Sequence, residues 1–230
     1  MANILHIETT TATCSVCVSQ DGLCVFNRED HQGPNHAVIL GVFVDEALAY
    51  ADSIGLVLDA VAVSCGPGSY TGLRIGVSMA KGICYARQIK LIAVPTLELL
   101  CVPVLLRYDN MDAETLLCPM LDARRMEVYS VLFDRRLQAK RDIQADIVDA
   151  DSYKEWLDRT PVMFFGNGAD KCQQVITHKN AQFIDNIKPL AKYMLPIADR
   201  RFLNGQFEDL AYFEPFYLKD FVAKTAKKLL

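Results

Sequence analysis

The chain opens with apolar and polar residues alternating in period two, over residues 4–8, then 13–19, then 23–27 across the turn Asp21-Gly22. That period sends successive side chains to opposite faces, so three antiparallel strands are predicted. The spacing then becomes helical: Ile39, Leu40, Phe43, Ala47, Leu48 and Ala51 recur over 36–52 behind Asn35, whose side chain can cap the first turn. A continuous apolar run over 59–64 reads as a buried strand that stops at Gly66-Pro67-Gly68. A helix over 73–87, a strand over 90–94 and a helix from Thr96 follow.

The same order recurs from residue 114. Strands are predicted over 115–122, 126–133 and near 143–148, the first two joined by Ala123-Arg124-Arg125, and a helix over 152–159. A buried strand at 162–165 stops at Gly166-Asn167-Gly168, and a helical stretch to about His178, a short strand at 182–184 and a helix over 190–203 complete the unit. Two βββαβαβα units are what an internal duplication would leave, so the fold class is α/β with lobes at 1–107 and 108–230. The first strand of each unit ends in an acid, Glu8 and Asp122, and the two Gly-x-Gly turns occupy equivalent points. This order resembles the actin-like ATPase (ribonuclease H-like) superfamily. The resemblance implies a cleft between the lobes, where relatives bind nucleotide phosphates and metal.

Composition narrows the function classes. A chain of 230 residues buries roughly 70 to 75% of its unfolded surface, enough for one large domain or two small ones. With 51% apolar and 23% charged residues it should be ordered almost throughout. A net charge of −4 supplies no general field for a phosphate backbone. The one basic run, Lys219, Lys224, Lys227 and Lys228, reads as a last helix whose cations complement its dipole, with an RNA contact as the alternative. The amino-terminal residues lack a basic segment and reach Glu8 early, which argues against a signal peptide and for the cytoplasm. The apolar stretch 91–106 carries Glu98, Pro95 and Pro103, so it reads as strand then helix and not as a membrane span. Eight cysteines without an export signal imply free thiols. Cys14-x-x-Cys17 lacks a second pair and would point its sulfurs to opposite faces of a strand, which favours core packing over metal.

The candidate chemistry centres on Gly66, Pro67, Gly68, Ser69, Tyr70, Thr71 and Gly72. A strand that stops at Gly-Pro-Gly and restarts as a helix capped by Ser69 or Thr71 leaves amides at the helix start, an anion site by geometry. The spacing nevertheless matches neither the P-loop nor the dinucleotide fingerprint, so a tight strand-to-helix turn is the competing reading. The letters are more specific. Gly66 to Gly76, with Arg74 inside it, resembles the signature of the TsaB family, the smaller partner subunit in bacterial threonylcarbamoyladenosine synthesis. Ile7-Glu8-Thr9-Thr10, Asn35-His36, Asp122 to Arg125 followed by Glu127-Val128-Tyr129, and Phe216-Tyr217-Leu218 carry the resemblance along the chain.

The resemblance implies a non-catalytic scaffold and activator for modification of the adenosine next to the tRNA anticodon. Its partners would be a TsaD-type catalytic paralogue and a TsaE-type ATPase subunit, with tRNA met only through the complex and a homodimer when alone. The catalytic paralogue holds a metal with a His-x-x-x-His pair, and the corresponding positions here are Thr96 and Leu100. The scattered histidines His6, His31, His36 and His178 offer no replacement pair, so no metal is expected. No cofactor is assigned beyond ATP or ADP at the partner interface. The helices at 36–52 and 73–87 become the partner-binding candidates, through His36, Leu40, Phe43, Val44, Leu73, Val77 and Lys81. His6 is expected to be half-buried and satisfied. Glu8, Asp122, Arg124 and Arg125 form a candidate anion site, against which stands filling of the cleft by the two arginines or ion pairing between lobes. Two other functions stay open: an ATP-dependent small-molecule kinase of the same fold, suggested by the two acids and two glycine turns, and a peptidase, for which neither His-Glu-x-x-His nor a nucleophile elbow is present.

Overall fold

A computed structural model describes residues 2–33 and 35–219. The last predicted helix, with Lys224, Lys227 and Lys228, lies outside them. The first unit runs β1 (Ile4–Glu8), β2 (Cys14–Gln20), β3 (Leu23–Asp30), α1 (His36–Ser53), β4 (Ala60–Gly66), α2 (Tyr70–Arg87), β5 (Lys90–Pro95) and α3 (Thr96–Arg107). The second runs β6 (Leu116–Asp122), β7 (Glu127–Phe133), β8 (Ala139–Ile147), α4 (Lys154–Leu157), β9 (Val162–Phe165), β10 (Ala181–Ile184) and α5 (Leu195–Leu203).

The two sheets share one topology. The first is ordered β3-β2-β1-β4-β5, and the second, read from its far edge, β8-β7-β6-β9-β10. In each, the first strand pairs antiparallel with its hairpin partner and parallel with the strand after the first helix. The duplicated α/β architecture predicted from element order is therefore present.

Three predicted elements differ. Residues 169–178 form hydrogen-bonded turns, not a helix: Ala169, Cys172 and Ile176 are buried, but the adjoining Val175, Ile176 and Thr177 are β-branched and restrict χ1 in a helix. The helix predicted over 152–159 shortens to the four residues of α4. The helix predicted from 190 opens as a 3-10 turn, Ala191–Met194, before α5 begins with Pro196 in its first turn. At the other end of the first unit, Asn35 makes no side-chain cap to α1.

The two units interlock through their last helices. From α3, Leu97, Leu100, Cys101 and Val104 enter the core of the second sheet, while Leu99 and Val102 join the first sheet with Met194, Ile197 and Ala198 around α5. Arg200 of α5 also binds Glu98 of α3 at 2.5 Å. The chain beyond α5 then returns over the first unit: Glu208 N donates to Leu91 O at 2.9 Å and Phe216 N to Cys65 O at 2.7 Å.

Candidate functional site: the interlobe cleft and the outer helical face

The Gly66 turn is built by contact with the β1–β2 loop. Gly66 takes φ 113°, and a side chain there would strike Phe216 O. Ser69 N donates to Thr10 O at 2.7 Å, and the Ser69 hydroxyl caps α2 by accepting from Gly72 N at 3.2 Å. Two amides that an anion would need are thus committed inside the chain, which weakens the phosphate-cradle reading of Pro67, Gly68, Ser69 and Thr71. The second unit repeats the device: Gly166 takes φ 99° over Met120 O, and Gly168 N donates to Met120 O at 3.0 Å.

Between the turns lies a cleft of about 570 Å³, walled by Thr10, Thr11, the Pro67–Thr71 backbone, Leu121 to Arg124, Asn167 and the returning residues 216–219. The proposed anion quartet is not assembled in it. Glu8 is fully buried, accepting from Thr10 N at 2.6 Å, from Thr10 Oγ1 at 2.5 Å and from Ser64 Oγ. Burial pushes its carboxyl up to about 7 against the opposing pull of the Ser64 and Thr10 hydrogen bonds. Its role is to tie the β1 end to β4. Asp122 is exposed, reaches Lys171 and accepts from Arg124 N at 3.2 Å. Arg124 lines the cleft, but Arg125 does not. Both arginines occupy left-handed backbone, φ 72° and 47°, closing a tight β6–β7 turn in which Glu127 N donates to Arg124 O at 3.0 Å. The β6–β7 connection, residues 123–126, thus takes its positive-φ positions with arginines and not with glycines. The charge that crosses the cleft is instead Lys219, which reaches Glu127.

The partner-binding residues separate by face. Leu40, Val44, Leu73 and Val77 are 1 to 4% exposed; Leu40, Val44 and Val77 sit in the first core, and Phe43 packs against it. His36 is 5% exposed, its Nε2 at 2.7 Å from Thr11 O. Lys81 donates to Ala211 O and Phe213 O and so clasps the returning segment. These residues lie on the inward stripe, since the i, i+4 spacing that marked them is the spacing of the buried face. The outward face carries the other apolar residues of these helices: Val38 and Val42 are 65% and 53% exposed, and Ala37, Leu48, Arg74, Ile75, Ser78, Met79, Gly82, Ile83, Ala86 and Arg87 line an apolar trough of about 740 Å³ between α1 and α2. Gly41 and Gly82, mid-helix with open space where a Cβ would stand, were the signal available in the sequence. Arg74 lies at the trough's edge with Nη1 on Tyr70 OH at 3.0 Å, and the Tyr70 ring packs tilted against Tyr217, centroids 4.9 Å apart.

Thr96 and Leu100 are both fully buried, Leu100 in the second core, and a leucine side chain has no lone pair to give a metal. The donor set does not fit a metal there. Among the described residues, no three His, Cys, Asp or Glu gather as metal ligands, and no helix is long and apolar enough to cross a membrane. His6, expected half-buried and satisfied, is fully buried with Nε2 at 2.8 Å from Ser19 Oγ and Nδ1 without a partner; burial drives its pKa down to about 3.

The sequence matches the family model TsaD, described as tRNA N6-adenosine threonylcarbamoyltransferase, over residues 30–227. It is 29% identical to the tRNA threonylcarbamoyladenosine biosynthesis protein TsaB of Haemophilus influenzae, covering 98% of this chain and 96% of that one. It is likewise 29% identical to the protein of the same name from Bacillus subtilis, over 75% of this chain and 74% of the relative. YeaZ from Pseudomonas aeruginosa shares the fold, with a TM-score of 0.79, 24% identity, and coverage of 95% of this chain and all of its own. The chain therefore belongs to the family this model describes and, within it, to the TsaB branch.

Proposed function

We propose that this chain is a non-catalytic scaffold and activator in tRNA threonylcarbamoyladenosine biosynthesis, docking a TsaD-type catalytic paralogue through the outer face of α1 and α2. The observation that carries the docking is the trough between those helices, with Val38 and Val42 exposed beside it and Gly41 and Gly82 leaving helix backbone bare. Mid-helix glycine costs about 1 kcal/mol relative to alanine, and neither glycine meets a neighbour within the chain. Close approach by another helix gives the bare backbone a use. The names of the relatives supply the pathway. Leu100 at the position of a metal ligand supports the non-catalytic part.

In this reading a TsaE-type ATPase joins the pair, ATP or ADP sits at the partner interface, tRNA is met through the complex, and the same face makes a homodimer when the paralogue is absent, all in the cytoplasm. Depleting the protein in its host and measuring threonylcarbamoyladenosine in bulk tRNA tests the pathway; unchanged modification refutes it. Val42→Asp tests the face. It should leave the fold intact and lower affinity for the catalytic paralogue by at least roughly 100-fold, about 2.7 kcal/mol.

A further inference from the structure

The β2–β3 hairpin brings together two thiols that neither the cleft nor the helical face uses. Cys17 is fully buried on β2, and Cys24 on β3 is the exposed member of the eight cysteines. The Cys17 thiol donates to Cys24 Sγ at 3.1 Å. A sulfur–sulfur bond is about 2.05 Å long, so about 1 Å of approach separates this contact from a covalent link. A register slip creates the pair. Val18 faces Phe26, but Ser19 faces Cys24, so one residue of β3 is passed over. In unbroken register Cys24 would point to the face opposite Cys17; the slip puts both on one face as diagonal neighbours.

The surroundings favour exchange at the outer sulfur. Lys192, bound to Glu29 at 2.9 Å, pulls the Cys17 thiol down, against the larger upward push of burial. Ala191 and Leu195 cover Cys17 from behind, and burial holds its thiol protonated. The open sulfur is therefore the one a small oxidant meets first.

We infer that Cys17 and Cys24 are a peroxide-responsive pair that closes into a disulfide across the hairpin. The Cys24 thiolate attacks one oxygen of hydrogen peroxide; the O–O bond breaks, hydroxide leaves, and Cys24 becomes a sulfenic acid. The Cys17 sulfur then attacks the sulfenic sulfur, the S–S bond forms, and the S–O bond breaks with loss of a second hydroxide. The two thiol protons convert both hydroxides to water, so two thiols and one peroxide give one disulfide and two waters.

Brief treatment of the full-length chain with hydrogen peroxide, followed by thiol titration in denaturant and peptide mapping without reductant, tests this. The expected result is loss of two of the eight thiols, a single peptide link joining Cys17 to Cys24, and recovery of all eight with dithiothreitol. Cys24→Ser should retain every thiol it starts with under the same treatment. Retention of all eight thiols by the wild type would overturn the inference, as would a link to another cysteine or Cys24 found as a sulfinic acid beside a reduced Cys17. Mapping the unsubstituted chain decides the matter even where the variant misfolds.

Discussion

The two lobes carry one sheet topology and one Gly-x-Gly turn, yet only the first follows that turn with a full helix. After Gly66 the chain forms the eighteen residues of α2, capped by Ser69, while after Gly166 it forms turns. The ends of the first strands diverge as well: Glu8 is buried and locked to β4, whereas Asp122 is exposed and paired with Lys171. Sheet order survives because each inner strand is held by two ladders, whereas a flanking helix is held by one apolar stripe and can dissolve without unmaking the sheet. The first lobe thus presents a paired-helix surface that its twin lacks, and it is on this surface that the proposed docking rests.

The largest effect should come from the feature the lobes share. Gly66→Ala and Gly166→Ala each place a Cβ on a backbone carbonyl at positive φ, so each should cost roughly 3 kcal/mol or more and lower Tm by about 10 °C. A thermal scan in which only Gly66→Ala is unstable would end the equivalence of the two turns.

Next is Glu8, the buried one of the two acids. Its folded pKa, about 7, lies above its ordinary 4.5, so the folded state holds a proton the unfolded state has lost, and stability falls as pH rises from 4.5 to 7. The gap of 2.5, at 1.36 kcal/mol each, corresponds to about 3 kcal/mol. Urea melts at pH 5 and pH 8 should show that decline in the wild type and not in Glu8→Gln; Asp122→Asn, at an exposed pair, should change stability by less than about 1 kcal/mol.

Smaller effects separate the helical faces. Gly82→Ala should stabilise the isolated chain by about 1 kcal/mol while weakening its association with the paralogue, a sign reversal that paired denaturation and binding measurements would expose. Smallest is Arg124→Gly, which removes a side chain from left-handed backbone and should stabilise by about 1 kcal/mol or less in a chemical melt.

Much of this molecule was readable along the chain. Period-two and helical spacing set the element order and the Gly66 to Gly76 letters marked the branch, because each depends on residues close in sequence. Tertiary contact decided the rest. Spacing alone marked Leu40 and Val77 as strongly as any interface residue, but only the sheet beneath them showed that their stripe was the buried one, leaving Val38, Val42 and the Gly82 trough outward. Nor could spacing show that Glu8 turns inward to Ser64 while Asp122 turns outward to Lys171, since both end a strand before a turn. The Cys17–Cys24 contact depends on a single register slip between neighbouring strands. Local pattern determines which elements form; which face is buried and which side chains meet is settled by desolvation and packing among residues far apart in the chain.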